Sequence, residues 1–86
     1  MTGAPATVAS VGPAPHEPQA ARWLAEIGFI AGEPVSILTR ARPGGDPLMV
    51  RIGQSAFALR RWEAQCVRVV PAVVSGQPEA LGDRTP

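Results

Sequence analysis

Two side chains capable of nucleophilic or metal chemistry occur once each, the imidazole of His16 and the thiol of Cys66. Covalent catalysis needs a nucleophile within reach of a base, and acid–base work needs a positioned imidazole or a pair of carboxylates. His16 lies in the Pro-rich run Gly12-Pro13-Ala14-Pro15-His16-Glu17-Pro18, with no serine, cysteine or aspartate at a telling spacing. A closed metal site normally takes four ligands at set spacings, and His16 with Glu17, or Cys66 with a carboxylate, falls short of that. An adventitious ion, or one shared between two chains, is the most such a set allows. All eight basic residues are arginine, so there is no Walker A lysine and no Schiff-base lysine. The expectation is a protein that is not an enzyme and carries neither metal nor cofactor, with Cys66 serving as a small buried hydrophobe.

The arginines are the remaining chemistry. Arg40, Arg42, Arg51, Arg60, Arg61 and Arg68 face only Asp46 and Glu63 between Val35 and Val70, although the whole chain has a formal charge of +1. They could line a phosphate-binding face, as in nucleic-acid modules. Such modules usually add stacking aromatics, and this region has only Phe57 and Trp62, with no tyrosine anywhere. The plainer reading is an outward polar face in a chain without lysine.

These residues must be positioned by short elements. Ala20, Trp23, Leu24 and Ile27 recur at i, i+3, i+4 and i+7, which predicts a helix from about Pro18 to Ile27 with one apolar stripe. Gly28 follows at the place where a helix C′ residue takes φ > 0, and Phe29 can close back on Leu24 or Trp23. Ile30-Ala31-Gly32-Glu33 puts glycine at the third position of a type II turn, and Pro34 places the next strand at Val35. Strands are expected at Ala6–Val11, Val35–Arg40, Leu48–Ile52, Ser55–Leu59 and Val67–Val70, with Gly53-Gln54 a hairpin turn and Arg60–Ala64 a single helical turn. The inward members of these segments, Leu24, Ile27, Val35, Ile37, Leu48, Val50, Ile52, Phe57, Leu59, Val67 and Val69, form the expected core.

Ten prolines and nine glycines in 86 residues favour short strands over a helical bundle. Five such strands in so small a chain curl into a partly open barrel, so the fold class is mainly β: a small SH3-like barrel with an early α-helix and a short helical turn before the last strand. Residues 1–5 read as a flexible N-terminus, 6–70 as one domain, and 71–86 as a mobile tail of Gly, Pro, Ser and charge without periodicity. The N-terminus has neither a basic n-region nor an apolar h-region, no run could span a bilayer, and a lone cysteine suits a reducing compartment. A soluble cytoplasmic protein is expected. Exposed strand edges leave room for a homodimer.

The order and spacing of three groups of residues resemble the FeoA family of ferrous iron transport accessory proteins. The groups are Arg22-Trp23-Leu24-Ala25-Glu26-Ile27-Gly28-Phe29 with Gly32, then Gly45-Asp46-Pro47-Leu48, then Leu59-Arg60-Arg61 with Glu63-Ala64. The resemblance covers about residues 6–70 and departs at Ala31, Gly44 and Trp62, where the family usually has a proline, an apolar residue and a charged one. It implies an adaptor for FeoB, the membrane GTPase and ferrous iron transporter, acting by protein contact on the cytosolic side, without nucleic acid and without inserting in the membrane. The expected partner-binding surface gathers Gly28, Phe29 and Gly32, the loop residues Arg42, Gly45, Asp46 and Pro47, and the turn residues Arg60, Arg61 and Trp62. Within it Trp62 reads equally as a lid on the barrel or as an exposed contact. Arg60 or Arg61 could approach the partner's phosphates as an arginine finger would.

Overall fold

A computed structural model describes residues 5–41, 44, 46–71 and 77–84. The elements in chain order are β1 (Ala6–Val11), α1 (Ala20–Ile27), β2 (Pro34–Arg40), β3 (Leu48–Ile52), β4 (Ser55–Leu59), α2 (Arg61–Gln65), β5 (Val67–Pro71), β6 (Glu79–Ala80) and a 3₁₀ turn (Leu81–Asp83). All strand pairings are antiparallel, in the order β4-β3-β2-β1-β5-β6. The result is the expected SH3-like, barrel-like sheet, left open between β4 and β6, with six strands among the described residues where five were expected.

The helix ends as its residues dictate. The Gly28 N–H donates to the Ala25 carbonyl at 3.1 Å and the Phe29 N–H to that of Leu24 at 2.9 Å, the paired bonds of a Schellman cap, with Gly28 at φ 125°. Gly32 holds φ 95° in a turn closed by the Glu33 N–H on the Ile30 carbonyl at 3.1 Å. The helix starts at Ala20 rather than Pro18, because Ala14 and Glu17 first form a local bridge and turn.

Along β3, Leu48, Val50 and Ile52 are buried while Met49 and Arg51 face out. Two strands break this alternation. The register slips between Val8 and Ser10 on β1 and between Ile37 and Thr39 on β2, so each carries one extra residue, which bends the strand and helps curl the sheet. On β2 the slip puts Arg40 opposite Leu48, a buried residue, and residues opposite one another share a face. Arg40 thereby leaves the outward polar face on which the sequence placed it.

The core holds nine of the eleven expected residues, together with Ala6, Val8, Phe29, Ala64 and Leu81. Two expectations are corrected. Ile27 is 38% exposed, because the cap sends Phe29, 1% exposed, into the interior beside the last helical turn. Phe57 is only half-buried, since β4 has no strand beyond it.

The expected mobile tail is also corrected, over Glu79–Asp83. β6 pairs with β5 through Arg68↔Ala80 and Val69↔Glu79, and Leu81 is fully buried. Arg40 Nη2 donates to the Gly82 carbonyl at 2.8 Å and also to that of Arg84, while Gln65 Nε2 donates to Asp83 Oδ1 at 2.8 Å. A Cβ on Gly82 would lie 3.0 Å from that tethered amide nitrogen, so the turn packs closely against α2. Expectations for residues 1–4, 72–76 and 85–86 lie outside the described residues.

Two stability measurements check this reading. Gly28→Val should lower stability by about 1 to 3 kcal/mol through backbone strain at the cap, and an unchanged melting temperature would refute the cap's role. Leu81→Ala should cost roughly 2 to 5 kcal/mol by opening a cavity, whereas a peripheral tail would show almost no change in a denaturant titration.

Candidate partner-binding surface

The expected surface residues divide between two ends of the sheet. Asp46 and Pro47 precede Leu48 at one end of β3, while a Cβ on Gly28 would lie 3.8 Å from the Ile52 side chain at the other. Four residue steps of strand, about 13 Å, separate Leu48 from Ile52. One continuous patch is therefore replaced by two smaller ones, joined along α1.

At the Ile52 end, the corner from Gly28 to Gly32 shows little of Phe29, which supports the corner from beneath rather than presenting itself to a partner. The exposed apolar side chains are Ile27 and Ile30, at 38% and 54%. The sequence placed Ile27 in the core and did not single out Ile30. Ile30 had a usable signal, an isoleucine at the first position of a glycine turn where no periodic stripe claims it. The corner is fixed to β1, because the Gly32 N–H donates to the Val8 carbonyl at 2.8 Å and the Val8 N–H to the Glu33 carbonyl at 2.9 Å.

At the other end, the first turn of α2 exposes backbone N–H groups, and carboxylates meet two of the N–H groups there. The Arg61 N–H donates to Asp46 Oδ1 at 3.1 Å, and the Arg60 N–H to Glu63 Oε1 at 2.7 Å. Asp46 thus ties its loop to the Arg60–Trp62 turn, bringing together two of the groups the sequence singled out. The Ala41 N–H closes the base of the loop on the Pro47 carbonyl at 2.9 Å, while Arg42 and Gly45 lie outside the described residues. Arg60 and Arg61 are exposed, and neither guanidinium is ion-paired with a described residue.

Trp62 is half-buried in a cluster of three rings. It meets His16 edge-on at 4.7 Å between centroids and Trp23 at 6.0 Å, with interplanar angles of 68° and 72°. Trp62 thereby packs the Pro-rich loop and α1 onto α2 while keeping part of its surface open. His16 is engaged as an aromatic edge here. Beside Trp23, Gln19, Arg22 and Glu26 line a shallow open depression on α1, with Arg22 and Glu26 at 4.0 Å.

The described arginines do not share one face. Arg40 is spent on the 3₁₀ turn, and Arg51 on β3 and Arg68 on β5 are separated by β2 and β1. Among the described residues no group of three or more His, Cys, Asp or Glu side chains could hold a metal ion, and no helix is long and apolar enough to cross a membrane.

Cys66 is half-buried and its thiol donates to the Trp62 carbonyl at 3.4 Å. Burial, and secondarily the Glu63 carboxylate, push its pKa above the ordinary thiol value. The fold therefore favours the neutral thiol, and the stability this contributes is present below the unfolded-state pKa and lost as pH rises through the higher folded value. Alkylation of Cys66 in the native protein should be slower than that of a free cysteine at neutral pH and should accelerate only in more alkaline buffer. Reaction at the free-thiol rate would contradict this environment.

Comparison with known proteins fits this geometry. The model of the FeoA domain matches residues 2–71. The solved structure of Stenotrophomonas maltophilia FeoA, a zinc complex described as a prokaryotic SH3 domain protein and a candidate ferrous iron transport activating factor, is 41% identical. It superposes with a TM-score of 0.67 over 79% of this chain and 78% of that one. The solution structure of iron(II) transport protein A from Clostridium thermocellum is 30% identical, with a TM-score of 0.69 over 81% of this chain and 41% of that one. No curated protein sequence matched. From the domain match, the identity and the shared barrel together, the chain belongs to the FeoA family of ferrous iron transport accessory proteins.

Proposed function

We propose that this FeoA-family protein is a non-catalytic cytoplasmic adaptor that binds FeoB, the membrane GTPase and ferrous iron transporter, and regulates it by contact. The observation that carries the reading is the α2 turn. Its backbone is pinned by Asp46 and Glu63, yet the side chains of Arg60 and Arg61 stay exposed and unpaired with any described acid. Two guanidinium groups on a fixed turn, beside a half-buried tryptophan, suit a carboxylate or phosphate on a protein surface. The Ile27–Ile30 corner would supply an apolar contact to the same partner from the far end of α1.

The alternative of a small nucleic-acid-binding module has less support, since the described arginines are dispersed around the sheet. A single experiment separates the two readings. Arg60→Glu with Arg61→Glu should weaken co-purification with FeoB from membranes about tenfold or more, while the melting temperature stays near that of the parent, as for surface substitutions generally. Unchanged capture of FeoB would overturn the proposed role of the turn. Tight, sequence-selective binding of oligonucleotides, falling by about 0.7 log units per tenfold salt for each phosphate contacted, would favour the alternative.

A further inference from the structure

The sheet has two edges and they are built differently. β6 is only two residues long, with Pro78 before it and the 3₁₀ turn after it, a short and obstructed edge. β4 presents five residues, Ser-Ala-Phe-Ala-Leu, with neither a charge nor a proline, and Ser55, Ala56 and Ala58 are exposed. Natural sheets usually guard such an edge with lysine, proline or a bulge. This one has none of them.

The register fixes which backbone groups are free. β3 and β4 join through a two-residue turn closing on Ile52↔Ser55, followed by Val50↔Phe57 and Leu48↔Leu59. A two-residue hairpin closes on a hydrogen-bonded pair, and such pairs alternate along an antiparallel ladder. Ser55, Phe57 and Leu59 therefore turn their N–H and C=O groups to β3, and Ala56 and Ala58 turn theirs outward. No described residue hydrogen-bonds to those outward groups.

We infer that the β4 edge is a self-association surface whose occupant is β4 of a second copy of this chain, antiparallel about Phe57. The strand is complementary to itself in that register. Ala56 of one copy lies opposite Ala58 of the other, giving four N–H to C=O hydrogen bonds between methyl side chains that offer no obstruction. Gln54 opposes Arg60, so no like charges are set against each other across the junction. Phe57 faces its own symmetry mate at the closely spaced, non-hydrogen-bonded position, which covers two rings that are half-buried in the single chain. Met49, 38% exposed, is paired with Ala58 on the outer face and extends the apolar strip beside the junction. One pair of five-residue strands buries less than the roughly 1,200 Å² of a standard stable interface, so the association is weak and dependent on concentration.

Sedimentation velocity and amide exchange of the intact chain, from micromolar to millimolar concentration, test this. The expected result is a sedimentation coefficient that rises with concentration while the Ala56 and Ala58 amides gain protection. Ala58→Pro removes an outward donor without touching the ladder to β3, and by symmetry deletes two of the four bonds, so it should weaken association about tenfold or more. Ala58→Lys, which adds only a guarding charge at an exposed position, should do the same with an unchanged melting temperature, and it decides the matter if the proline variant misfolds. A monomer at every concentration, or a dimer indifferent to Ala58→Lys, would overturn the inference. So would protection of these amides that appears only on adding membranes bearing FeoB, which would give the edge to a strand of that partner.

Discussion

The turn from helix to sheet at Gly28 governs how most of this chain packs. A residue at φ 125° lets the backbone reverse within two positions, so that the N–H groups of Gly28 and Phe29 satisfy the last carbonyls of α1 while Phe29 swings into the core. In so small a domain a phenylalanine is a large share of the buried apolar volume, and its entry displaces Ile27 to the surface. The cap also brings the helix end beside the Ile52 side chain at the far end of β3. The exposed Ile27–Ile30 corner is thus a by-product of the cap, held on one side by the cap bonds to α1 and on the other by the Gly32 and Glu33 bonds to Val8 of β1.

A second constraint acts through the bulge on β2. One extra residue after Ile37 changes the phase of the strand, and a cation that alternation would send to water arrives opposite Leu48 instead. A guanidinium turned to that side needs acceptors, and the carbonyls of Gly82 and Arg84 supply them. Leu81 and Ala80 are drawn into the core by the same docking. Glu79–Asp83, past residue 71 where the FeoA domain match ends, are in this way built into the barrel's packing and cover the β5 side of the sheet.

Much of the architecture was legible in the sequence because the features involved are local. Positive φ leaves a glycine behind, so Gly28 and Gly32 could be placed, and strict alternation at Leu48, Val50 and Ile52 named both the strand and its inward face. Arg40 and Leu81 were not legible, for a shared physical reason. A bulge depends on the register of two strands, and the burial of a lone leucine among Gly, Pro and charge depends on a distant arginine; neither leaves a periodic mark. The Trp62 cluster likewise joins residues 16, 23 and 62, a contact between distant stretches of chain that no local pattern records. The two readings of Trp62 stayed open in the sequence because half-burial between distant rings leaves no local pattern.

The separation of the two candidate contact patches sets a requirement on any partner. A ligand reading only the α2 turn would meet two cations and part of an indole, and one reading only the corner would meet two isoleucines. Either alone is a small target compared with a standard protein interface. A partner that engages both must span α1 and the length of β3, which favours a folded protein surface over a short peptide or a single phosphate group. Because Asp46, the Schellman cap and the aromatic cluster fix both patches before any encounter, little conformational entropy remains to be lost at the backbone on binding. On the adaptor reading proposed above, that pre-organisation would offset the small apolar surface of each patch, and the geometry of α1 would set the spacing at which the Arg60–Arg61 turn and the isoleucine corner meet a partner together.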